Sequence, residues 1–310
     1  LLLGEAAFMI SDLPTAGDAL EQALTLARAT GDHAAEANSL YWHSRVATAR
    51  GDFDAARAAL EEALPIARAV GGATLARALE GLAGAVGSRG DLPTAAALGN
   101  EALALAREVG DRTLEMRCLA LLGTFARLGD DLDAAEARFD EARALAHRAG
   151  NLEREATALL NLGDLAYRRE RYDEARANAH AALDLFRDQG LPDAVAIAAG
   201  NLAQAELMLG ERDAATADAR QALAAARAAG ATPLVLFALS VFAQAVATAD
   251  RPRAAALLRL VIHHPATEYQ DRREAAELLT QLGASASAPA APLELDAAIA
   301  AVLDEAVAGR

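Results

Sequence analysis

Several common residue types are missing or scarce in this sequence of 310 residues, and each absence narrows the classes of protein it encodes. All 29 basic residues are arginine, which excludes mechanisms that need a lysine, such as phosphate binding by a P-loop. Cys118 is the single cysteine, which excludes an internal disulfide and a zinc site built on several cysteines. A chain so poor in cysteine is typical of a reducing cytoplasm.

Positive charge is also in short supply. Aspartate and glutamate number 44 against 29 arginines, which gives a formal net charge of −15 and a pI near 4.8. A molecule of this charge repels nucleic acid and anionic membrane surfaces, so neither is expected as a direct partner. Aromatic residues make up only 4% of the chain, so any aromatic cluster stands out.

The start of the chain, LLLGEAAFMI, has no basic leader and is interrupted by Glu5, unlike a secretory signal. It also lacks an initiator methionine and begins inside a repeat, so we expect a piece of a longer protein. The uncharged run Ala228–Ala249 contains Gly230 and Pro233, which leave 17 residues for its helix, fewer than a bilayer requires. We therefore expect a buried helix there, in a cytoplasmic chain without a membrane span.

The sequence repeats itself with a period of about 40 residues. Six glycines end similar segments such as ARATG and AREVG, at spacings of 40, 39, 40, 40 and 40. In that register one position is alanine in all seven repeats: Ala16, Ala56, Ala95, Ala135, Ala175, Ala215 and Ala254. The position twelve residues before each of these alanines is also restricted. It holds a small residue in six of the seven repeats, such as Gly163, and Phe242 in the last repeat. Self-similarity at this period is the signature of a solenoid.

Helix-start signals recur at a fixed offset in the same register. The residue two positions before each aligned alanine is aspartate or proline: Pro14, Asp54, Pro93, Asp133, Asp173, Asp213 and Pro252. Aspartate accepts hydrogen bonds from the free N–H groups of a helix start, and proline has no N–H to leave unsatisfied. Each repeat is therefore predicted to contain two antiparallel helices, A and B, and small residues such as Gly163 and Ala175 are expected where these helices approach closely.

This arrangement resembles the tetratricopeptide repeat, in which a small residue of helix A is followed by two alanines at fixed spacing. Asn161-Leu162-Gly163, Tyr172, Ala175 and Ala182-Leu183 match the pattern, and the resemblance covers about residues 1–265. The period is longer than the family's, and arginine or histidine replaces the proline that often closes helix B: Arg28, Arg68, Arg107, His147, Arg187 and Arg227. This variant is similar to the C-terminal sensor region of bacterial STAND and MalT-like signalling ATPases and transcription regulators.

The resemblance implies an all-α fold, a right-handed α-solenoid of about seven helix-turn-helix repeats over residues 1–283. The repeats are expected at about 1–31, 32–71, 72–110, 111–150, 151–190, 191–230 and 231–264. Residues 265–283 are predicted to cap the solenoid with one extra helix. Residues 284–292, ASASAPAAP, begin at Ala284 and have the composition of a linker. Residues 293–310 are predicted to form a short amphipathic helix with Leu295, Ile299, Val302 and Leu303 on one face.

In the family, side chains of helix A line the concave face of the superhelix. The resemblance carries that role onto Asn38, Tyr41, Arg45, Arg77, Glu80, Arg117, Thr124, Arg127, Leu160, Asp164, Tyr167, Arg168, Gln204 and Met208. Five arginines against two carboxylates favour an acidic or phosphate-bearing ligand, because guanidinium groups bind such anions bidentately. The alternative is that these arginines are solvated or pair with Glu80 and Asp164 within the groove.

Other conspicuous residues have structural interpretations. Tyr41-Trp42-His43 is the most aromatic spot and suits ligand stacking, although core packing is favoured for Trp42. The adjacent His263 and His264 point in different directions on a helix, so no metal site is expected. Cys118 is interpreted as a buried packing residue. The glycines of GLAGAVGSRG, 81–90, are predicted to permit close helix approach and not to bind phosphate.

The sequence favours a non-catalytic recognition scaffold without a cofactor. As a sensor arm it would bind a protein, a peptide or a small effector and pass that event to an N-terminal switch domain outside this sequence. A stand-alone adaptor for assembling protein complexes is the alternative. An enzyme, such as a hydrolase built from groove carboxylates, is a remote alternative, because no nucleophile, base and orienting residue converge.

Overall fold

A computed structural model describes residues 1–9, 12–50, 52–267, 269–284 and 294–308. All regular secondary structure in these residues is α-helical, which confirms the predicted fold class. None of the described helices is both long and apolar enough to cross a membrane. The helix pairs of successive repeats are α1 (Leu2–Met9) and α2 (Leu13–Thr30), α3 (His33–Ala49) and α4 (Phe53–Val70), α5 (Gly72–Gly87) and α6 (Leu92–Val109), α7 (Arg112–Leu128) and α8 (Leu132–Ala149), α9 (Leu152–Arg168) and α10 (Tyr172–Gln189), α11 (Pro192–Leu209) and α12 (Arg212–Ala229), and α13 (Thr232–Val246) and α14 (Arg251–His263).

The helices form two compact units, unit 1 at Leu1–Ala149 and unit 2 at Gly150–Arg310. Two further helices, α15 (Tyr269–Gln281) and α16 (Leu295–Ala308), follow the pairs in unit 2. Within each unit the two helices of a repeat pack together, and helix B packs against the next helix A. Each helix A also contacts the next helix A of its unit. Such nearest-neighbour packing is the basis of a solenoid.

Aspartate caps several helices, but it lies two residues earlier than the sequence pattern suggested. In α4 the Asp52 carboxylate accepts the N–H of Ala55 at 3.0 Å, and Asp91 and Asp250 cap α6 and α14 in the same way. Assigning the capping hydrogen bond to Asp54 was wrong, because α4 begins one residue before Asp54. Asp54 instead places its charge in the first turn, near the positive end of the helix dipole.

Glycine is required where helix B turns into the next helix A. Gly190, for example, ends α10 with a φ of 67°, a left-handed conformation that side chains disfavour. The equivalent glycines at the other repeat ends also have positive φ: Gly31, Gly71, Gly110, Gly150 and Gly230. The 40-residue spacing of these glycines therefore reflects the spacing of the turns.

The aligned small residues lie between the helices. All seven alanines from Ala16 to Ala254 are at most 3% exposed, and the small residues of helix A are also buried. A Cβ added at Gly163 would lie 3.5 Å from the carbonyl oxygen of Ala175, so these two predicted positions face each other across the contact between α9 and α10. These residues therefore lie where neighbouring helices approach closely.

Replacing Ala175 by leucine is expected to lower the free energy of unfolding by about 1–3 kcal/mol, because the added carbons overpack the α9–α10 contact. Urea denaturation followed by circular dichroism measures this change. Ala181→Leu is the matched control, because Ala181 is exposed on the same helix and should change stability by less than about 0.5 kcal/mol. Equal stabilities of the two variants would contradict the assigned register.

Two of the three glycines in the second half of α5, Gly81 and Gly87, make room for neighbouring side chains. A Cβ at Gly87 would lie 2.3 Å from Cε1 of Phe125, and one at Gly81 would lie 2.7 Å from Cδ2 of Leu60. The predicted role in close helix approach is confirmed for these two. Gly84 differs, because its Cβ would meet nothing within 4 Å.

Gly84→Ala is expected to stabilise the fold by about 1 kcal/mol, because alanine removes the helix penalty of glycine without a steric clash. Gly87→Ala is expected to destabilise it, because Phe125 is buried and must move. Thermal unfolding of the two variants beside the parent distinguishes these effects. Opposite signs are the expected result, and two stabilised variants would show that the Phe125 contact is not tight.

The apolar run near residue 240 forms the buried helix that its length suggested. Leu236, Leu239 and Phe242 of α13 are 0% exposed. Helix α15 follows and packs against α13 and α14, with Ala275 and Leu279 buried. It therefore packs on the last helix pair.

Helix α16 docks on the same chain, a point that the sequence left open. Its predicted apolar face includes Ile299 and Val302, which are buried against the core of unit 2. Arg220 of α12 donates from Nε to the carbonyl oxygen of Val302 at 3.2 Å, and Arg253 of α14 donates to that of Ala301 at 3.2 Å. The predicted linker at 284–292 lies outside the described residues except for Ala284.

Candidate functional site

The predicted groove residues lie on helices A of both units. Those of unit 1 are on α3, α5 and α7, and those of unit 2 are on α9 and α11. We call the side of a unit that these helices form its A-helix face. Equivalent positions of neighbouring repeats meet on this face, as where Arg77 donates to Oδ1 of Asn38 at 3.3 Å across 39 residues of sequence.

In unit 1, Tyr41, Glu80 and Arg117 form a buried cluster. Tyr41 is 1% exposed, and its hydroxyl donates to Oε2 of Glu80 at 3.3 Å. Nη2 of Arg117 lies 2.6 Å from the same carboxylate oxygen and also donates to the Tyr41 hydroxyl. Arg45 donates to that hydroxyl at 3.2 Å. The cluster joins three consecutive helices A through polar contacts inside the fold.

Charge pairing sets the ionisation of this cluster. Burial alone would lower the pKa of Arg117, but the adjacent Glu80 and Tyr41 raise it above its ordinary value. Burial, followed by the charge of Glu80, raises the pKa of Tyr41. Arg117 is therefore a charged internal partner of Glu80, and both serve structure before any ligand arrives.

The other predicted residues of unit 1 also have partners within the chain. Arg77 forms an ion pair with Asp111 at 3.5 Å, and Arg45 lies 5.3 Å from the ring centre of Phe8. The hydroxyl of Thr124 donates to its own helix backbone, and Arg127 lies half-buried near the end of α7. These contacts favour internal pairing of the arginines, the alternative that the sequence left open.

Trp42 is half-buried and packs against the core, in agreement with the structural interpretation. Its ring centre lies 5.6 Å from that of Phe8 and 5.4 Å from that of Tyr41. Burial raises the pKa of the Cys118 thiol to about 12, so the reactive thiolate is disfavoured. Among the described residues, no group of three or more potential ligands is arranged to hold a metal ion.

In unit 2, four predicted residues line one cavity of about 550 Å³: Asp164, Tyr167, Arg168 and Gln204. The cavity also reaches helices α13 and α15, which the sequence analysis did not assign to a site. The remaining lining residues are Glu170, Tyr172, Phe237, Gln244, Asp271, Arg273, Glu274, Glu277, Leu278 and Gln281. The signal that was missed is the acidic, polar face of the capping helix, to which only a packing role had been given.

The cavity is acidic, unlike the basic groove that was expected. Its lining contains five carboxylates and two arginines. Arg168 pairs with Asp164 at 3.1 Å, and Arg273 pairs with Glu277 at 3.5 Å. The difference has two causes: four of the five predicted groove arginines lie in unit 1, and α15 adds three carboxylates that the count over helices A did not include.

An aromatic pair forms part of the wall. The rings of Tyr167 and Tyr172 lie 5.5 Å apart at 67°, an edge-to-face arrangement. Burial raises the pKa of Tyr167, and Tyr172 and Glu274 add to this increase. One lining carboxylate, Glu274, thus acts on the Tyr167 hydroxyl.

Sequence reasoning missed a buried acidic pair between α11 and α12. Glu206 is 6% exposed, and its Oε2 has no hydrogen-bond partner among the described residues. Burial, followed by the charge of the nearby Asp218, raises the pKa of Glu206 to about 7. Burial also raises the pKa of Asp218. The available signal was that Glu206 occupies a position that is Ala166, fully buried, in the preceding repeat.

The repeat geometry agrees with a known family. The family model for the tetratricopeptide repeat matches residues 1–69 and 154–228. This chain is a tetratricopeptide-repeat protein. No curated protein sequence matches it significantly.

Solved structures share the fold of this tetratricopeptide-repeat protein. BtubC from P. vanneervenii is 22% identical with a TM-score of 0.60, and the match covers 71% of this chain and 91% of that one. A STAND protein with a tetratricopeptide repeat sensor from Pyrococcus horikoshii is 17% identical with a TM-score of 0.65, over 80% of this chain and 38% of that one. The apo form of the quorum sensor NprR from B. thuringiensis is 14% identical with a TM-score of 0.69, over 98% of this chain and 85% of that one. At these identities the similarity establishes the fold alone.

The arginines that replace the helix-B proline have a structural role in this tetratricopeptide-repeat protein. Arg107 donates to Glu115 of the next helix A at 3.0 Å and also pairs with Glu141 of the next helix B. Arg28 makes the equivalent pairs with Glu36 and Glu62. At these two positions arginine thus connects one repeat to both helices of the next.

Proposed function

We propose that this tetratricopeptide-repeat protein is a non-catalytic recognition module that binds a peptide or an exposed protein segment on the A-helix face of unit 2. The main support is the convergence of Asp164, Tyr167, Arg168 and Gln204 on one cavity. Its volume of about 550 Å³ lies within the usual range for ligand pockets. Polar groups around a concave wall suit recognition of an extended segment.

The proposal includes a role as the sensor arm of a larger regulator. Structures of similar fold include the STAND protein with a tetratricopeptide repeat sensor, the quorum sensor NprR, and a Rap protein complexed with Competence and Sporulation Factor. These names describe those proteins. Because this chain shares their fold, we propose the same kind of sensor role for it. A ligand that contacts neighbouring repeats would stabilise their packing against one another. This change would be transmitted to an N-terminal switch domain.

Hydrogen exchange measured by mass spectrometry tests the binding site. A library of capped peptides is added to the purified chain. Bound peptides are expected to slow the exchange of backbone amides in α9, α11, α13 and α15. The control region is α2, which lies in unit 1. A chain that no peptide protects in these four helices would refute recognition at this face.

The sensor role has a separate test in the gene. An open reading frame that continues upstream of Leu1 into a nucleotide-binding switch or a DNA-binding domain supports a sensor arm. An independent gene that encodes only these repeats favours the stand-alone adaptor.

An acidic or phosphate-bearing effector is a second candidate ligand, proposed for the arginines of unit 1. Such an anion would have to compete with Glu80 for Arg117 and with Asp111 for Arg77. Protection of α3, α5 and α7 by inorganic phosphate or by a glutamate-rich peptide would support it. Unchanged exchange in these helices would leave the arginines with their internal role.

A further inference from the structure

We infer that the cavity of unit 2 binds a cationic segment, an arginine- or lysine-containing stretch of a peptide or protein. This inference rests on the proposed function, because it names the chemical class of ligand for the same site. The acidic and aromatic lining, the size of the cavity and the placement of its carboxylates all support it.

The carboxylates approach the cavity from two sides. Asp164 belongs to α9 and Glu170 to the turn that follows it, whereas Asp271, Glu274 and Glu277 belong to α15. A ligand between these elements would therefore have carboxylates on opposite walls. A guanidinium group has donors on both edges of its plane and can bind both walls at once.

The acidic residues of α15 share one face of the helix. Asp271, Glu274 and Glu277 recur every three residues, a spacing that places them on neighbouring turns of one face. Ala275 and Leu279 of the same helix are buried, and Asp271 lies four residues before Ala275, so the carboxylates border the packed face of α15. Helix α15 therefore contributes three carboxylates to the lining of the cavity.

The aromatic wall also suits a cation. Tyr167 and Tyr172 meet edge to face, so their ring planes differ and present π surfaces in two directions. The face of a tyrosine ring attracts arginine and lysine side chains. The amides of Gln204 and Gln244 add carbonyl acceptors to the lining. Carboxylates, π faces and amide oxygens are together the groups that a cationic side chain needs.

An anionic ligand fits this cavity poorly. The two lining arginines each have a carboxylate of the lining as partner, Asp164 for Arg168 and Glu277 for Arg273. A phosphate or glutamate entering the cavity would have to displace these partners and face the remaining carboxylates. The charge balance therefore selects against the acidic class of peptide.

Isothermal titration calorimetry on the whole chain tests the inference with three capped pentapeptides, alanine-arginine-alanine-arginine-alanine and its citrulline and glutamate counterparts. Citrulline keeps the shape of arginine without its charge. The arginine peptide is expected to bind at least about tenfold more tightly than the other two, and its affinity should fall as salt is raised, because partly exposed charges are screened.

Variants locate the binding. Asp271→Asn combined with Glu274→Gln is expected to weaken the arginine peptide about tenfold, a typical loss for two charge-assisted contacts. The matched control is Asp188→Asn, which removes an exposed charge of the same unit outside the cavity. Tyr172→Leu is a second variant that removes a π face without altering charge. Thermal unfolding checks that each variant is folded.

The outcomes separate the inference from the proposed function. Tighter binding of the arginine peptide, lost in the cavity variants and kept in Asp188→Asn, supports the inference. If the glutamate or citrulline peptide binds as tightly and protects the same helices from exchange, the cationic class is wrong while peptide recognition stands. If neither these nor the library peptides bind, both fail.

Discussion

Replacing Arg117 by methionine is expected to lower the free energy of unfolding by about 3–5 kcal/mol. Arg117 is the positive partner of the Glu80 carboxylate, at 2.6 Å, and both side chains are largely buried. Methionine retains much of the apolar stem but leaves a buried negative charge without its guanidinium. The remaining donor to that carboxylate is the neutral Tyr41 hydroxyl at 3.3 Å.

The free energy of unfolding from urea titration, followed by circular dichroism, measures this effect. Adding Glu80→Gln to Arg117→Met is expected to recover a large part of the loss, because the unpaired charge is then gone. Partly exposed Arg57, which pairs with Glu61 at 3.4 Å on α4, is the control position. Arg57→Met should cost less than about 1 kcal/mol. A loss of similar size at both arginines would show that the Tyr41 cluster is not a buried ion pair.

Glu206→Gln is expected to change the pH dependence of stability. The pKa of Glu206 is about 7 in the folded chain against 4.5 for an unperturbed glutamate, first because of burial and then because of Asp218. Between these two pH values the unfolded chain has released the proton and the folded chain still holds it. Stability from this group is therefore fully present below about pH 4.5 and falls as pH rises to about 7. At about 1.4 kcal/mol per pKa unit, the loss approaches about 3 kcal/mol.

Unfolding measured at pH 5 and at pH 8 tests this sign. The parent should lose stability between these values, and Glu206→Gln should lose less and be the more stable protein at pH 8. Asp218 contributes in the same direction and remains in the variant, so a smaller slope is expected to persist. Glu108→Gln, at an exposed position of α6, serves as the control. A parent that gains stability from pH 5 to pH 8 relative to Glu206→Gln would contradict the buried pair.

Much of the fold could be predicted because each repeat has the same helix-pair geometry, so the sequence shows the same pattern several times. The turn glycines, the aligned alanines and the small residue of helix A each recur with the period of the helix pairs. One alanine in an alanine-rich chain carries little information, but seven in register imply a contact that every repeat makes. Capping was harder, because the aspartate at the cap and the aspartate two residues later are alike in composition.

The candidate site was only partly predictable. The family pattern placed Asp164, Tyr167, Arg168 and Gln204 on one face, and they do share a cavity. The charge of that cavity was not predictable, because three of its five carboxylates come from a capping helix outside the repeat register. Tyr41 and Glu80 lie in the interior and not on the surface, because equivalent positions of adjacent helices A meet there.

The period and identity of the small residues were enough to establish an all-helical array of paired helices, since side-chain volume limits how closely two helices pack and that limit is local. Which charges meet was decided in three dimensions. Electrostatic pairing depends on distances of a few ångströms between residues far apart in sequence, such as Glu80 and Arg117. The acidic lining of the unit 2 cavity and the surface on which α16 packs likewise form only when the last helices pack against earlier repeats.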